Sequence, residues 1–345
     1  MGTNAVEVPS PQDFGQIFKF IGGYRISRAI YVVVELGIPD LLSAGPMHCH
    51  ELAAKTDSDA STLYRVLRFL AGVGLVDEVG HQEFALTRLG STLRTDVPGS
   101  ASTAVRLWLS DFHWRTWGHL IHSVRTGKPA FNHVYGTGVF EYLRDNPDAS
   151  AVFNAAMTGN TARSGMGVVE RYDFSSARSI VDVGGGQGFL LATILRSNPS
   201  VRGVLFDLPE VVAGADQVIA SVKDRCEVVG GSFFDAVPEG GNVYILRQII
   251  HDWNDERAMT ILRNCRAAMG AAGKVLLIER QIASDHREAM RVLHVDLEML
   301  VNAGGMERTD DEYRSLFARA GFELTKIVPL QDGAGFSLFE GVPSR

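Results

Sequence analysis

Five short apolar runs separated by helical segments constrain the fold of the C-terminal half more than any other feature. They cover residues 179–183, 203–206, 226–229, 243–249 and 274–278. Strands that alternate with helices in this way form a parallel sheet with right-handed connections. Two further runs, at residues 322–329 and 336–339, predict an antiparallel hairpin at one edge. We therefore predict a Rossmann-like α/β fold with a seven-stranded, mostly parallel sheet.

The N-terminal part follows a different pattern. After a loose tail of about a dozen residues, apolar residues recur at helical spacing on both sides of Gly22-Gly23, which predicts two helices with an apolar surface. Residues 50–94 then run helix, helix and hairpin, the order of a winged helix. The second of these helices has only Arg65 and Arg68 as basic residues, too few to contact a phosphate backbone. We therefore expect a helical, winged-helix-like dimerisation domain, with DNA binding as the weaker alternative.

Length, charge and cysteine content limit the remaining classes. A chain of 345 residues favours about two domains, which we place at residues 1–105 and 106–345, with the α/β core at 175–345. The formal net charge of −7 argues against nucleic acid as the main partner. No apolar run reaches the roughly 18 residues of a membrane span, so no membrane partner is expected. The three cysteines fit neither disulfide nor metal spacing, which favours the reducing cytoplasm.

A glycine-rich turn, Asp182-Val183-Gly184-Gly185-Gly186-Gln187-Gly188, joins the first strand to an apolar helix. Glycines here let a ligand approach bare backbone at the positive end of the helix. A dinucleotide-binding turn would need a third glycine where Phe189 or Leu191 stands. The carboxylate of Asp182 would repel a pyrophosphate but attract an ammonium or a sulfonium, and Asp207, about 20 residues beyond the turn, can bind ribose hydroxyls. The pattern favours S-adenosylmethionine over NAD, with a simple tight turn as the alternative.

The fourth strand delivers His251 to the same edge of the sheet. Asn254 is a suitable N-cap for the helix that follows, which we expect to end at Gly270. An unperturbed histidine titrates near pH 6.5, so it can accept a proton from a substrate hydroxyl at neutral pH. Glu279, at the end of the fifth strand, and Glu307, after a glycine turn, could each orient the imidazole. The alternatives are a structural role for the histidine and surface ion pairs for the two acids.

In combination these motifs resemble the plant caffeate- and hydroxyindole-type O-methyltransferase family, including its bacterial members that act on natural products. The motifs are VDVGGGQG at residues 181–188, FDLP at 206–209, HDWNDE at 251–256 and GGMERT at 304–309. The resemblance covers nearly the whole chain. It implies transfer of a methyl group from S-adenosylmethionine to a hydroxyl of a small aromatic molecule. It also implies a homodimer whose intertwined N-terminal domains can lend residues to the partner's pocket.

Carried over position by position, the resemblance assigns roles to residues of this chain. His251 would be the catalytic base, with Glu279 and Glu307 on either side. The cofactor contacts would be Asp182, Gly184, Gly186, Asp207, Leu208, Ser232, Phe233 and Arg247. The lining of the acceptor pocket would be Trp108, Phe112, Met157, Met299 and Asn302. Ser232 and Arg247 depart from the plant members, which usually carry an acid and a lysine there, although serine can still accept a hydrogen bond.

Several alternatives stay open at this point. Each residue of the predicted acceptor pocket could instead belong to the core. The chain could keep the fold and the cofactor yet hydroxylate or decarboxylate, as a few family members do, or it could be a winged-helix regulator. No metal is expected, because His113, His119 and His122 have no acids or cysteines spaced to complete a site. The sequence names neither the acceptor nor whether an amine could replace its hydroxyl.

Overall fold

The structure is a computed structural model that describes residues 8–330 and 335–344, without the side chains of residues 162–164. Within it the chain forms two compact units, which divide between Asp111 and Phe112. The predicted boundary between residues 105 and 106 stays a prediction about domain organisation.

A single long helix, α1 (Pro11–Glu35), opens the N-terminal unit. The Ser10 hydroxyl accepts from the Asp13 N–H at 3.3 Å, and the Asp13 carboxylate accepts from the Ser10 N–H at 2.7 Å. The predicted interruption at Gly22-Gly23 is wrong, because the helix runs through both glycines. A glycine inside a helix costs only about 1 kcal/mol relative to alanine, which the continuing hydrogen bonds offset. The predicted tail is also too long, and its first seven residues lie outside the described residues.

The rest of this unit has the helix, helix and hairpin order that the sequence predicts. Its elements are α2 (Ile38–Leu41), β1 (Met47–His48), α3 (Cys49–Lys55), α4 (Ala60–Val73), β2 (Val76–Gly80), β3 (Glu83–Leu86) and α5 (Ser102–Trp108). Asp59 caps α4 by accepting from the Thr62 N–H at 2.7 Å, and Gly74 ends it in a left-handed conformation with φ 84°. The strands form a small antiparallel sheet in the order β1-β3-β2. Leu67 and Phe84 are fully buried, so the helices and this sheet share one core.

Five further helices lead from residue 111 to residue 171. They are α6 (Asp111–Trp117), α7 (Leu120–Thr126), α8 (Ala130–Tyr135), α9 (Val139–Asp145) and α10 (Pro147–Arg171). Gly127 and Gly136 end α7 and α8 in left-handed conformations, with φ values of 66° and 73°. Among the described residues, no helix combines the length and the apolar character needed to span a membrane.

A seven-stranded sheet forms the centre of the C-terminal unit, in the order β6-β5-β4-β7-β8-β10-β9. The strands are β4 (Ser179–Val183), β5 (Arg202–Asp207), β6 (Cys226–Gly230), β7 (Val243–Arg247), β8 (Lys274–Arg280), β9 (Phe322–Pro329) and β10 (Phe336–Pro343). The first five pair in parallel, whereas β10 pairs antiparallel with both β8 and β9. The predicted Rossmann-like sheet and its antiparallel edge are confirmed.

Helices cover both faces of this sheet. They are α11 (Phe189–Ser197), α12 (Pro209–Val212), α13 (Asp216–Ile219), α14 (Asp255–Ala268), α15 (Met290–Asn302) and α16 (Asp310–Arg319). Because successive strand residues point to opposite faces, Ile180 and Ile245 belong to one buried cluster and Val181 and Leu246 to the other. The carboxyl ends of the parallel strands are left at one edge, which is where ligands bind in open α/β sheets.

Candidate active site

His251 lies in a short 3₁₀ turn, Ile250–Asp252, directly beyond β7. Its side chain is buried, with 4% of the residue exposed. Asn254 then caps α14 as predicted, by accepting from the Arg257 N–H at 3.1 Å. The strand, the turn and the capped helix therefore fix the position of the histidine backbone.

Glu307 holds one nitrogen of the His251 ring. Its Oε1 lies 2.8 Å from Nδ1. Because an ionised carboxylate can only accept, Nδ1 carries the hydrogen in this pair. The other ring nitrogen, Nε2, lies 3.6 Å from Asp252 Oδ1, which is too long for a hydrogen bond. Nε2 is therefore the ring position available for chemistry.

Glu279 approaches the same histidine in a different way. Its Oε1 accepts from the backbone N–H groups of Ile249 and Ile250 at 3.0 and 2.8 Å. Its Oε2 has no hydrogen-bond partner within the described part of the chain. His251, Glu279 and Glu307 nevertheless bring one ring nitrogen and two carboxylate oxygens within 4.8 Å of one another. Glu279 thus fixes the turn by binding backbone N–H groups of the turn, and it acts on the imidazole of His251 through its own charge.

The carboxylates change the proton affinity of His251. Burial by itself would lower the pKa of this histidine, but Glu307, then Glu279 and Asp252, outweigh burial and raise it to about 9. Burial raises the pKa of Glu279 to about 7, against the opposing charge of His251. The ordinary value near 6.5 therefore does not apply here. The imidazole is a stronger base than the sequence by itself predicts.

The glycine turn is tied to the end of β5. The N–H groups of Gly184 and Gly185 donate to the Phe206 carbonyl at 2.8 and 3.2 Å. Asp207 accepts from the Gly186 N–H at 2.8 Å and from the Leu208 N–H at 2.7 Å, one with each carboxylate oxygen. Gly184 and Gly186 have φ values of 70° and 59°, a conformation that favours glycine. Four of the predicted cofactor residues are therefore adjacent in space.

The glycine turn also packs against residues that follow β6 and β7. A Cβ added to Gly184 would lie 2.5 Å from Ile249 Cδ1 and 3.5 Å from the Phe233 ring, so only glycine fits. The Ser232 hydroxyl accepts from the Phe234 N–H at 3.2 Å. Ile249 is two residues from the catalytic candidate, so the predicted adenine-side residues and the histidine turn share this edge of the sheet.

One buried acid, Asp182, and one half-buried acid, Asp207, test whether this edge fits a cationic cofactor. Asp182 is 2% exposed, and its Oδ2 has no hydrogen-bond partner within the described residues. Burial, and then the charge of Asp207, raise the pKa of Asp182 to about 7, although Arg247 opposes the shift. Burial also raises the pKa of Asp207. A ligand with an ammonium or a sulfonium would stabilise the desolvated carboxylate of Asp182, and ribose hydroxyls can donate to that of Asp207, so these residues fit S-adenosylmethionine.

A residue of α10 holds the Arg247 side chain by a hydrogen bond. Its Nη1 donates to Thr161 Oγ1 at 2.8 Å and to Gln248 Oε1 at 3.1 Å, and its guanidinium lies 4.9 Å from the centre of the Phe336 ring. Asn160 also donates to Gln248 Oε1, at 2.7 Å. Gln248 has a φ of 53°, unusual for a residue other than glycine. Sequence reasoning missed Gln248, the neighbour of Arg247, and it missed Asn160 and Thr161 because no local pattern marks contacts from so distant a helix.

The predicted acceptor-pocket residues fall in both units. Trp108 lies at the end of α5 in the N-terminal unit and is 47% exposed. The others lie in the C-terminal unit: Phe112, Met157, Met299 and Asn302. Phe112 packs against the His113 ring, with 4.6 Å between ring centres. That all five line one pocket stays a prediction.

A buried polar network surrounds Asn302. Its amide donates to Glu298 Oε1 at 2.7 Å, and its carbonyl oxygen accepts from Thr116 at 3.0 Å. Glu298 also accepts from the Trp117 indole at 2.7 Å and lies 3.1 Å from His113 Nε2. No local sequence pattern predicts this network, because its members come from α6 and α15. In the folded chain, His113 therefore has an acidic partner, Glu298.

Comparison with known proteins gives consistent matches. One family model, described as O-methyltransferase domain, matches residues 117–323, and another, described as O-methyltransferase dimerisation domain, matches residues 18–96. The phenazine O-methyltransferase PhzM of Lysobacter antibioticus is 42% identical over 329 residues, which cover 95% of each chain. The O-demethylpuromycin-O-methyltransferase of Streptomyces alboniger is 40% identical over 334 residues, 95% of this chain and 89% of that one. The crystal structure of LaPhzM, 40% identical, matches with a TM-score of 0.91 over 97% of this chain and all of that one.

Other relatives are N-methyltransferases, and several solved neighbours hold S-adenosylmethionine or its demethylated product. Fold and site together define a Rossmann-like S-adenosylmethionine-dependent methyltransferase. Both family models and the relatives agree on a narrower assignment. The chain belongs to the O-methyltransferase family that has its own dimerisation domain. The resemblance to the plant caffeate- and hydroxyindole-type enzymes, and the predicted cofactor, are confirmed.

Proposed function

We propose that this chain transfers a methyl group from S-adenosylmethionine to a hydroxyl of a small aromatic molecule, with His251 as the general base. One observation carries the proposal: a buried imidazole beside the glycine turn, with Nδ1 paired to Glu307 at 2.8 Å. The relatives support the acceptor class, because their names specify phenazine and O-demethylpuromycin as substrates of O-methylation.

The proton transfer follows from the ring geometry. With its hydrogen on Nδ1 facing Glu307, the neutral imidazole presents a lone pair at Nε2 to the acceptor hydroxyl. A phenol titrates near pH 10, and the pKa of His251 is about 9. Because these two pKa values lie close together, moving the proton from the hydroxyl to Nε2 costs less than it would with an ordinary histidine. Glu307 and Glu279 then stabilise the resulting imidazolium by their charges.

The methyl transfer needs correct alignment in addition to a base. S-adenosylmethionine, when bound, supplies a methyl carbon on a positively charged sulfur. The cofactor would give this methyl group to the acceptor oxygen and keep the electron pair of the carbon–sulfur bond, while Nε2 of His251 would take the proton that the oxygen loses. Holding the reacting groups in line contributes a large part of such a rate enhancement.

We assign the cofactor contacts to the residues grouped around the glycine turn. Asp182 would pair with the ammonium, and the spare lone pairs of Asp207 would accept from the ribose hydroxyls. The backbone of Gly184 and Gly186, with Leu208, would line the cradle. The remaining contacts are Ser232 and Phe233 on the adenine side and Arg247 as the basic contact.

We assign the acceptor pocket to side chains that suit a flat ring. Aromatic and thioether groups pack well against an aromatic plane. The proposed lining is Trp108, Phe112, Met157, Met299 and Asn302. We keep the proposed domain division at residues 105 and 106, which puts these residues in the methyltransferase domain.

We also infer a homodimer through the N-terminal domain. The first half of α1 exposes a row of large apolar side chains, of which Phe18 is 69% exposed. The others are Phe14, Ile17, Phe20, Ile21 and Tyr24. An apolar surface of this kind marks a protein interface, and the match to a dimerisation domain supports a second copy as its partner.

The direct test replaces the proposed base. We expect His251→Ala to lower turnover by roughly 10²–10⁴-fold, the usual contribution of a general base. Affinity for S-adenosylhomocysteine, measured by calorimetry, should change little. His286→Ala, at an exposed histidine, is the matched control. Equal losses of turnover and cofactor affinity would mean that His251 has a structural role.

The N-methyltransferases among the relatives make an amine acceptor the second candidate. Labelled S-adenosylmethionine should therefore be supplied with 1-naphthol and 1-hydroxyphenazine and with their amino counterparts. O-methylation predicts transfer to the hydroxyl compounds. Transfer to the amines alone would support the second candidate, and no methyl transfer to any compound of the panel would favour the non-methylating chemistry of a few family members.

A further inference from the structure

Arg308 is a buried cation close to the proposed base. Its side chain is 1% exposed. Nη1 donates to the carbonyl oxygens of Ile250 and Met306 at 3.2 and 3.3 Å, and Nη2 donates to that of Trp253 at 2.9 Å. Nε and Nη2 also reach Asp255 Oδ1, at 3.2 and 3.0 Å. All five N–H groups of the guanidinium thus have an acceptor.

The three carbonyl groups bracket the two residues that form the imidazole–carboxylate pair. Ile250 precedes His251 by one residue, and Trp253 follows it by two. Met306 directly precedes Glu307. One planar guanidinium therefore fixes the turn that carries the base and the segment that carries its acid.

The backbone around Arg308 strengthens this connection. Its own carbonyl oxygen accepts from the Ile282 N–H at 2.9 Å, next to an isolated parallel bridge between Arg308 and Gln281. These residues follow β8, the strand that carries Glu279. Arg308 therefore links all three members of the cluster: the base turn by its side chain, Glu307 by chain adjacency, and the β8 segment by its backbone.

The preceding residues add contacts to the same turn. The Met306 N–H donates to the His251 carbonyl at 2.9 Å. A Cβ added to Gly305 would lie 2.0 Å from that carbonyl oxygen, so the two segments touch along their backbones. Small shifts of residues 305–308 would therefore be passed directly to the His251 backbone.

We propose that Arg308 is a positioning residue for methyl transfer, which sets the imidazole of His251 and the carboxylate of Glu307 in the geometry that proton transfer requires. This inference rests on the proposed function of His251. A lysine cannot replace the arginine, because a single ammonium cannot reach carbonyl groups on two segments and Asp255 together.

Arg319 provides a matched control on the same acid. Its Nη1 pairs with Asp255 Oδ2 at 2.8 Å, but its side chain is 48% exposed. None of its described hydrogen bonds reaches the His251 turn. Arg319→Ala therefore removes a cation from Asp255 and leaves the bracketing contacts in place.

The experiment measures kcat and KM for S-adenosylmethionine in Arg308→Ala, Arg308→Lys and Arg319→Ala, with the phenol of the acceptor panel that is methylated fastest. We expect kcat to fall on the order of 10²-fold in both Arg308 variants, as for a misplacement of about 1 Å, with KM and S-adenosylhomocysteine affinity nearly unchanged. Arg319→Ala should keep kcat within about twofold, because exposed ion pairs contribute little. Millimolar guanidinium, but not ammonium at equal ionic strength, should restore part of the lost rate of Arg308→Ala.

Two results would overturn the inference. A parallel loss of kcat and cofactor affinity, with no rescue by guanidinium, would mean that Arg308 only maintains the fold. Unchanged kcat in a folded Arg308→Lys variant would mean that its contacts do not matter for the reaction. If Arg308→Ala does not fold, Arg308→Lys is the deciding variant. A fall in its kcat with a nearly unchanged KM supports the inference. His251→Ala distinguishes failure of this inference from failure of the proposed function, because full turnover in that variant would show that His251 is not the base.

Discussion

Glu307→Gln isolates the effect of one charge on the proposed base. The glutamine oxygen can still accept the Nδ1 hydrogen of His251, so the hydrogen bond is kept while the charge is lost. At the Nδ1–Oε1 distance of 2.8 Å, a unit charge in an effective dielectric of about 20 contributes roughly 6 kcal/mol, or about four pKa units, as an upper limit. Glu279 and Asp252 still raise the pKa of His251. We therefore expect this pKa to fall from about 9 by about two units.

The assay is an NMR titration of protein labelled with ¹³C at the histidine Cε1 position. The chain has 10 histidines, and the His251 signal is identified by its absence in His251→Ala. The rate profile should follow the same change. Because the neutral ring is the base, activity of the unmodified enzyme should rise with pH until about 9, whereas that of Glu307→Gln should level off at lower pH and at a lower maximum.

Glu256→Gln is the charge control. Glu256 is exposed on the first turn of α14, so its removal takes away an equal charge that solvent already screens. We expect the pKa of His251 to move by less than about 0.3 units in this variant. If Glu307→Gln moves the pKa no further than the control does, then Glu307 is not the group that sets the base strength, and the reasoning fails.

Three further predictions concern the cofactor and the interface. Asp207→Ala should weaken S-adenosylhomocysteine binding by at least about tenfold in calorimetry, because a charge-assisted acceptor is lost; unchanged affinity would remove Asp207 from the ribose site. Since the pKa of Asp182 is about 7, its carboxylate ionises as the pH rises, so S-adenosylmethionine should bind more tightly at about pH 8 than at about pH 6. Asp182→Asn should lose this dependence, and its persistence would assign it to another group. Phe18→Asp combined with Ile21→Asp should convert a dimer to a monomer in light scattering; an unchanged mass would place the interface elsewhere.

The sequence by itself predicted the alternation of strands and helices and a candidate site at the carboxyl ends of the strands. Helical and strand periodicity are local properties, so the alternation from residue 179 onward was enough to predict the sheet and its antiparallel edge. The cap at Asn254 and the glycine turn were readable for the same reason, since each depends on neighbours within a few residues. Local pattern failed at Gly22-Gly23, where the unfavourable propensity of two glycines was too small to break α1.

Only the tertiary structure decided how the acids act on His251. Glu307 is 56 residues away along the chain and bonds the ring, whereas Glu279, 29 residues from Ile250, bonds the backbone of the turn. The sequence had named both acids without distinguishing their tasks. Burial and the distances between these charges then set a pKa of about 9 for the histidine. Proton affinity depends on separations in space and on exclusion of water, and neither quantity is contained in the spacing of residues along the chain.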